Sequence, residues 1–336
     1  MKSRWGALLA LMLLLGLVAA GLAWQRYQSF LQRPLTLPEE GLVLEVKPGT
    51  SVAALGRELA ARGLLDDPWL LRLHVRLHPE MGRIRAGEYR LAPGLRPDGL
   101  LAMLVAGRTL MHAITFPEGL EFRRWREIIE ADPHLEQTVH GLTDAEVMAR
   151  LGHPGEHPEG RFFPDTYLFP RGFTDLELLQ RAYRRMEKEL AAAWARRQPD
   201  LPLKTPYEAL ILASIIEKET GAPEERRKIA GVFIRRLQKG MKLQTDPTVI
   251  YGLGERFDGN LRRRDLREDT PYNTYVHPGL PPTPICNPGR AALRAAVDPE
   301  PGTALYFVAT GDGRHHFSST LREHNRAVRK YQLKKK

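Results

Sequence analysis

The chain has 336 residues, enough to bury a substantial core and, by length alone, to form two domains. Lys and Arg number 50 against 40 Asp and Glu, a net charge of +10. Most of that excess is interspersed with acids, as in Arg184-Arg185-Met186-Glu187-Lys188-Glu189, and no helix-turn-helix, zinc-finger or aromatic RNA-binding signature accompanies it, so nucleic acid is not an expected partner. The single cysteine, Cys286, excludes an intrachain disulfide and lies too far from the N-terminus for a lipoprotein anchor.

From Trp5 to Trp24 the chain carries no charge, with Lys2 and Arg4 before it and Gln25-Arg26 after it. Twenty apolar residues on a helix reach about the ~30 Å thickness of a bilayer core, and the tryptophans suit its two interfaces. A cleaved signal peptide is the alternative, helped by the small residues Gly21 and Ala23, but its apolar region is usually shorter. The reading adopted is an uncleaved anchor over 1–24. In either case the basic N-terminus stays inside and the rest of the chain is exported. The basic runs Arg262-Arg263-Arg264 and Lys334-Lys335-Lys336 suit anionic headgroups or an acidic polymer.

Residues 25–40, with Pro34, Pro38 and Glu39-Glu40, read as a linker. Leu42–Val46 alternates as a strand and ends in Lys47-Pro48-Gly49-Thr50. Thr50 or Ser51 then caps a helix through Val52, Leu55, Leu59 and Ala60, which Gly63 stops. Pro68 opens a second helix, Gly87–Leu91 forms a strand, and a third helix runs from about Pro97 to Val105. This strand–helix–helix–strand unit resembles the LysM glycan-binding module, although Thr50 stands where that module usually has Asp, and the spacing to the second strand is longer.

A strand near 110–118 and a helix from about Glu121 to Ala131 follow. Residues 132–158 show little periodicity, and Glu159–Tyr167 is aromatic and turn-rich, suited to a groove wall or a hydrophobic hinge. Thr174 caps a long charged helix over 174–196. Thr205, Pro206 and Glu208 open another with a Thr-x-x-Glu capping box, and Gly221 closes it. A helix runs from Pro223 to Gly240, a short one is capped by Asp246 before Pro247, and one more runs from Asn287-Pro288 to Val297. A hairpin turns at Gly311-Asp312-Gly313, and Thr320-x-x-Glu323 caps the last helix.

The stretch with most chemical content is Leu212-Ala-Ser-Ile-Ile-Glu-Lys-Glu-Thr220, at the end of the helix that Thr205 opens. At about 100° per residue, Glu217 and Glu219 lie about 200° apart. Glu219 falls on the face of Leu212, Ile215 and Ile216, and Glu217 falls with Leu210, Ala213 and Ser214. A carboxyl held among aliphatic side chains near the negative end of a helix has its pKa raised, and can stay protonated near neutral pH as a glycosidase acid must. Glu219 is therefore the candidate catalytic residue. Gln244, Thr245, Asp246, Tyr272, Asn273, Thr274 and Tyr275 follow it, side chains that suit sugar hydroxyls and acetamido groups. Metal is not expected: His315, His316 and His324 lack a ligand spacing, and alternation sends His315 and His316 to opposite faces. No nucleotide-binding loop or serine-hydrolase elbow occurs, so no cofactor is expected.

Ser214-Ile-Ile-Glu-Lys-Glu-Thr220, Val232-Phe-Ile-x-Arg-Leu237, Leu243-Gln-Thr-Asp-Pro-Thr-Val-Ile-Tyr-Gly252, and Tyr272-Asn-Thr-Tyr275 with Gly279-Leu-Pro-Pro282 keep their order, and together they resemble the YceG-like endolytic murein transglycosylases. Phe163-Pro-Asp-Thr166 and His324-Asn325 extend the likeness. The resemblance implies an α+β protein: a transmembrane helix over 1–24, a linker over 25–40, a LysM-like module over 41–109, and a mixed α/β catalytic domain over 110–336 with a lysozyme-like catalytic helix. It implies cleavage inside peptidoglycan strands at the β-1,4 bond from N-acetylmuramic acid to N-acetylglucosamine, leaving 1,6-anhydro ends. Glu219 is the implied acid, and its carboxylate then takes the proton of the attacking sugar 6-hydroxyl. Gln244, Asp246, Asn273 and Tyr275 line the implied cleft. The expected setting is the inner membrane, single-pass, with a cytoplasmic N-terminus, a periplasmic catalytic domain and penicillin-binding synthases as neighbours. A hydrolytic muramidase using Asp246 or Asp265 as a second carboxylate, and a non-catalytic cell-wall scaffold, are the alternatives.

Overall fold

The computed structural model describes residues 2–333; the Lys334–Lys336 run and the side chains of Lys2 and Arg4 lie outside the described residues. The chain forms two compact units, Met1–His112 with Leu168–Gly172, and Ala113–Tyr167 with Phe173–Lys336.

In the first unit, α1 (Lys2–Gln32) is long and apolar enough to cross a membrane; its span Leu8–Gln32 reaches a mean hydropathy of 2.1, and Leu8 to Arg26 are exposed. Then come β1 (Leu42–Val46), α2 (Val52–Ala61), α3 (Pro68–Leu77), β2 (Gly87–Leu91) and α4 (Pro97–Ala106). β1 and β2 pair antiparallel from Leu42 opposite Leu91 to Val46 opposite Gly87, so Leu44 meets Tyr89 across the pair, and both are fully buried. Ser51 caps α2 by accepting from the Ala54 N–H at 3.2 Å. Leu55, Leu59, Leu70, Leu71, Leu100, Leu101 and Leu104 complete the core.

The first part of the segment expected to be a linker is helical. α1 continues to Gln32, and Tyr27, Phe30 and Leu35 bury into the same core. The Tyr27 hydroxyl pairs with His74 Nδ1 at 2.8 Å, and Arg26 reaches Asp67 at 2.9 Å. Proline and acid content suggested a linker, but Tyr27 and Phe30, three apart on the continuing helix, share a buried face.

In the remainder, β3 (Met111–Thr115), α5 (Phe122–Glu130), α6 (Asp144–Arg150), β4 (Thr166–Pro170), α7 (Asp175–Trp194), α8 (Pro206–Glu219), α9 (Arg226–Gln238), α10 (Asp246–Leu253), α11 (Arg290–Val297), β5 (Tyr306–Ala309), β6 (His315–Ser318) and α12 (Leu321–Val328) follow. β3 pairs with β4, and β5 with β6. α6 interrupts the stretch that showed little periodicity, and it opens on a complete capping box between Thr143 and Glu146. Phe162 and Phe163 are buried, so the aromatic run before β4 packs into the interior rather than forming a groove wall.

The second unit is organised around α8. Residues Ala209 to Ile216 are all buried, ringed by Met186 and Leu190 of α7, Ile229 and Phe233 of α9, and Leu293 and Ala296 of α11. A helix apolar on every face belongs in the centre of a core. Its polar start and end project from that centre, and the end carries the two glutamates.

Candidate active site

Thr205 caps α8 by accepting from the Glu208 N–H at 3.2 Å, with Pro206 in the first turn. The expected capping box is only half made, because the Glu208 carboxylate accepts from the Lys204 N–H at 2.5 Å instead of from Thr205. At the other end Thr220 adopts extended backbone (φ −148°, ψ 135°), and its hydroxyl accepts from the Ala222 N–H at 3.0 Å, so the helix stops at Glu219.

The two glutamates have different surroundings. Glu217 is largely enclosed: its carboxylate accepts from the Gly289 N–H at 2.9 Å and lies 3.6 Å from Arg226. Burial and the nearby Glu118 raise its pKa against those two partners. The ion pair with Arg226 that a helix-end glutamate could make therefore belongs to Glu217. Glu219 is half-buried and opens onto a groove of about 510 Å³. Burial, reinforced by the negative charge of Asp246, pushes its pKa up to about 7, while the Thr245 hydrogen bond and the nearby His315 and Arg236 act the other way.

Three of the four residues expected to hold substrate meet Glu219 in this groove: Gln244, Asp246 and Tyr275. Gln244 sits at φ 52°, left-handed backbone that a non-glycine residue rarely adopts. It is held there by its N–H on the Thr274 carbonyl at 3.1 Å, and Arg236 reaches its side-chain oxygen at 3.4 Å. Asp246 does not cap α10 as expected. Thr245 occupies the cap position without a side-chain cap bond, and Asp246, in the first turn, accepts the Tyr275 hydroxyl at 2.6 Å. Burial, with that bond, pushes the Tyr275 phenol well above its usual range.

Asn273 does not line the groove. It is fully buried, its amide donating to the carbonyls of Asp265 (3.1 Å) and Glu268 (2.7 Å) and its oxygen accepting from the Tyr275 N–H (2.9 Å). Both amide hydrogens and one oxygen lone pair go to shaping the loop that presents Tyr275. Asp265 is likewise buried, its carboxylate accepting from the Arg262 N–H at 2.7 Å, outside the groove.

Other groove residues come from far along the chain. Arg236 is buried and donates to the carbonyls of Leu305 (2.7 Å) and Leu243 (2.8 Å), tying β5 to the loop before α10; burial lowers its pKa. Tyr306, Phe307 and His315 of the hairpin, with His324 and Asn325 of α12, also line the groove. Only His324-Asn325 carried a sequence signal for this position. Among the described residues no group of three or more His, Cys, Asp or Glu side chains is placed to hold a metal ion. His315 faces Glu225, whereas the His316 ring lies near Tyr331.

A half-buried carboxylic acid with a pKa near neutrality, at the edge of a groove lined by an amide, a carboxylate, a phenol and aromatic rings, can donate a proton to a bound polar polymer. Known proteins with this sequence pattern are informative. The model of the YceG-like family matches residues 44–330. A protein of Bacillus subtilis named endolytic murein transglycosylase is 32% identical over 305 residues, covering 86% of this chain and 84% of its own. One of the same name from Streptococcus pneumoniae is 25% identical, covering 95% of this chain and 64% of its own. A crystal structure of a YceG-like protein from Listeria monocytogenes superimposes with a TM-score of 0.54 at 29% identity, over 86% of this chain and 99% of that one.

Proposed function

The chain belongs to the YceG-like family, and from that premise we propose that it is a peptidoglycan lytic transglycosylase that cuts glycan strands internally. The observation that carries this reading is Glu219, a carboxyl whose pKa of about 7 leaves it substantially protonated at neutral pH, opening onto a groove with Gln244, Asp246 and Tyr275. In this role α8 acts as a lysozyme-like catalytic helix that brings the acid to the groove edge.

Glu219 donates its proton to the glycosidic oxygen between N-acetylmuramic acid and N-acetylglucosamine, and the C1–O bond breaks. The 6-hydroxyl of the same muramyl residue attacks C1 and gives up its proton to a base in the groove, closing a 1,6-anhydro ring. The 2-acetamido group stabilises the cationic centre between the two events. Because the nucleophile is tethered to the reacting sugar, no carboxylate is needed to activate water. Gln244, Asp246 and Tyr275 hold the sugars' polar groups.

α1 anchors the enzyme in the inner membrane with its N-terminus in the cytoplasm, so that both units work on the periplasmic face, near the synthases that extrude new strands. The unit containing β1, α2, α3 and β2 is LysM-like in element order and holds glycan. Cleavage there terminates or trims nascent strands.

The test is product analysis. Full-length protein in detergent, incubated with purified peptidoglycan, releases fragments whose muramyl ends are one water lighter than reducing ends, and Glu219→Gln releases none. Reducing ends would instead establish a hydrolytic muramidase, with Asp246 as second carboxylate, since Asp265 lies outside the groove. Binding without any turnover would establish a scaffold.

A further inference from the structure

The proton that leaves the sugar 6-hydroxyl needs an acceptor, and Glu219 is not the only candidate in the groove. His315, in β6, lines the same groove. Its ring Nδ1 lies 2.7 Å from Glu225 Oε2, and its backbone N–H donates to Glu225 Oε1 at 2.9 Å. Both oxygens of one carboxylate are thus spent on one histidine. Glu225 is 5% exposed, and burying a carboxylate has a cost that a purely mechanical tie between a hairpin and a helix start would not require. A carboxylate accepting at Nδ1 selects the tautomer with its proton on Nδ1, leaving Nε2 as a lone-pair acceptor. The Phe307 ring stands edge-on to the imidazole with centroids 5.3 Å apart, limiting its rotation. The His315 side chain is 12% exposed and lines the groove that Glu219 opens onto.

We infer that His315 is a second catalytic group: its Nε2 takes the proton of the sugar 6-hydroxyl as that oxygen closes on C1, and Glu225 is the residue that positions it. This inference rests on the transglycosylase reading above. The balance is complete without a co-reactant. The C1–O bond to the leaving sugar breaks, and that oxygen takes the Glu219 proton. The O6–C1 bond forms, and the O6 proton moves to Nε2, giving an imidazolium facing the Glu225 carboxylate. A proton then returns through solvent to Glu219. Division of labour lets O6 be deprotonated while Glu219 is still the acid, whereas a lone glutamate must finish donating before it can accept.

The informative variant is His315→Asn in the full-length protein, because its amide nitrogen reproduces the Nδ1 donor to Glu225 and keeps the hairpin tied. The expected result is a kcat lower by about 100-fold or more, in the range of a lost general base. KM and the melting temperature stay close to wild type, and the residual product still carries anhydro ends. In His315→Ala, added imidazole restores turnover in proportion to its free-base form, a response that a structural role would not give. Glu225→Gln, which keeps one of the two acceptor oxygens and loses the charge, falls between wild type and His315→Asn. A His315→Asn kcat within about threefold of wild type, or a folded His315→Ala that imidazole does not rescue, overturns the base role and leaves the transglycosylase reading standing. Reducing ends from the wild type overturn both.

Discussion

The Thr245 hydroxyl donates to Oε1 of Glu219, and Thr245 is itself locked in place. It is 2% exposed, its N–H donates to Thr274 Oγ1 at 3.1 Å, and its carbonyl accepts from Thr248 at 2.8 Å. One carboxyl oxygen is therefore held, which leaves the other to carry the proton toward the groove. A hydroxyl donor favours the charged acid and lowers its pKa. Thr245→Val should raise the Glu219 pKa further, moving the alkaline limb of the activity profile to higher pH. Loss of the orienting bond should lower kcat by about tenfold. A pH–rate profile on defined glycan strands checks both.

Activity should fall as pH rises through about 7, where Glu219 loses its proton. The same raised pKa has a consequence for stability. The folded state holds this proton more tightly than the unfolded chain, so a stability penalty accumulates as pH rises from about 4.5 to about 7 and is constant above. Glu219→Gln removes the penalty. It should be more stable than wild type at pH 8 by on the order of 1–3 kcal/mol, and no more stable at pH 4. Thermal melts of both proteins at the two pH values test this, and equal differences at both would contradict the desolvation argument.

Asn273 and Tyr275 should separate cleanly. Asn273→Ala removes the amide's bonds to the Asp265 and Glu268 carbonyls and takes the side-chain partner of the Tyr275 N–H away, at a cost of about 2–4 kcal/mol seen as a lower melting temperature. Tyr275→Phe removes only the hydroxyl on Asp246. It should leave the melt nearly unchanged and reduce kcat/KM by about tenfold.

A chain beginning at residue 25 should fold its first unit better than one beginning at 41, because only the former retains Tyr27, Phe30 and Leu35 in the core. Each such side chain contributes about 1.5–3 kcal/mol on burial. Chemical denaturation of the two fragments measures the difference.

Local signals carried much of this fold. Thr174 and Thr320 each form the full capping box their sequences announce, and the strands at 42–46 and 87–91 fall where alternation places them. The sequence placed Glu219 on an aliphatic face by helical phase, but α8 is buried all round and Glu217 is enclosed as well, so phase does not separate the two. What was hidden lies between residues far apart in sequence. Asp246 has the sequence signature of a helix cap, and only the tertiary approach of Tyr275 redirects it. Asn273 looks like a sugar ligand until the loop folds around its amide. Glu225 and His315 are ninety positions apart, and nothing in either neighbourhood points to the other. α6 was missed for a simpler reason: its capping box stands before a helix of only seven residues, too short to show a period.

If α1 anchors the chain as proposed, its unbroken run past Trp24 to Gln32 makes that anchor a strut instead of a leash. With the apolar stretch seated in a bilayer, those eight residues rise about 12 Å beyond it and end inside a packed core. Tilting the transmembrane segment would therefore swing the first unit with it, and bilayer thickness would set how far that unit stands off the lipid.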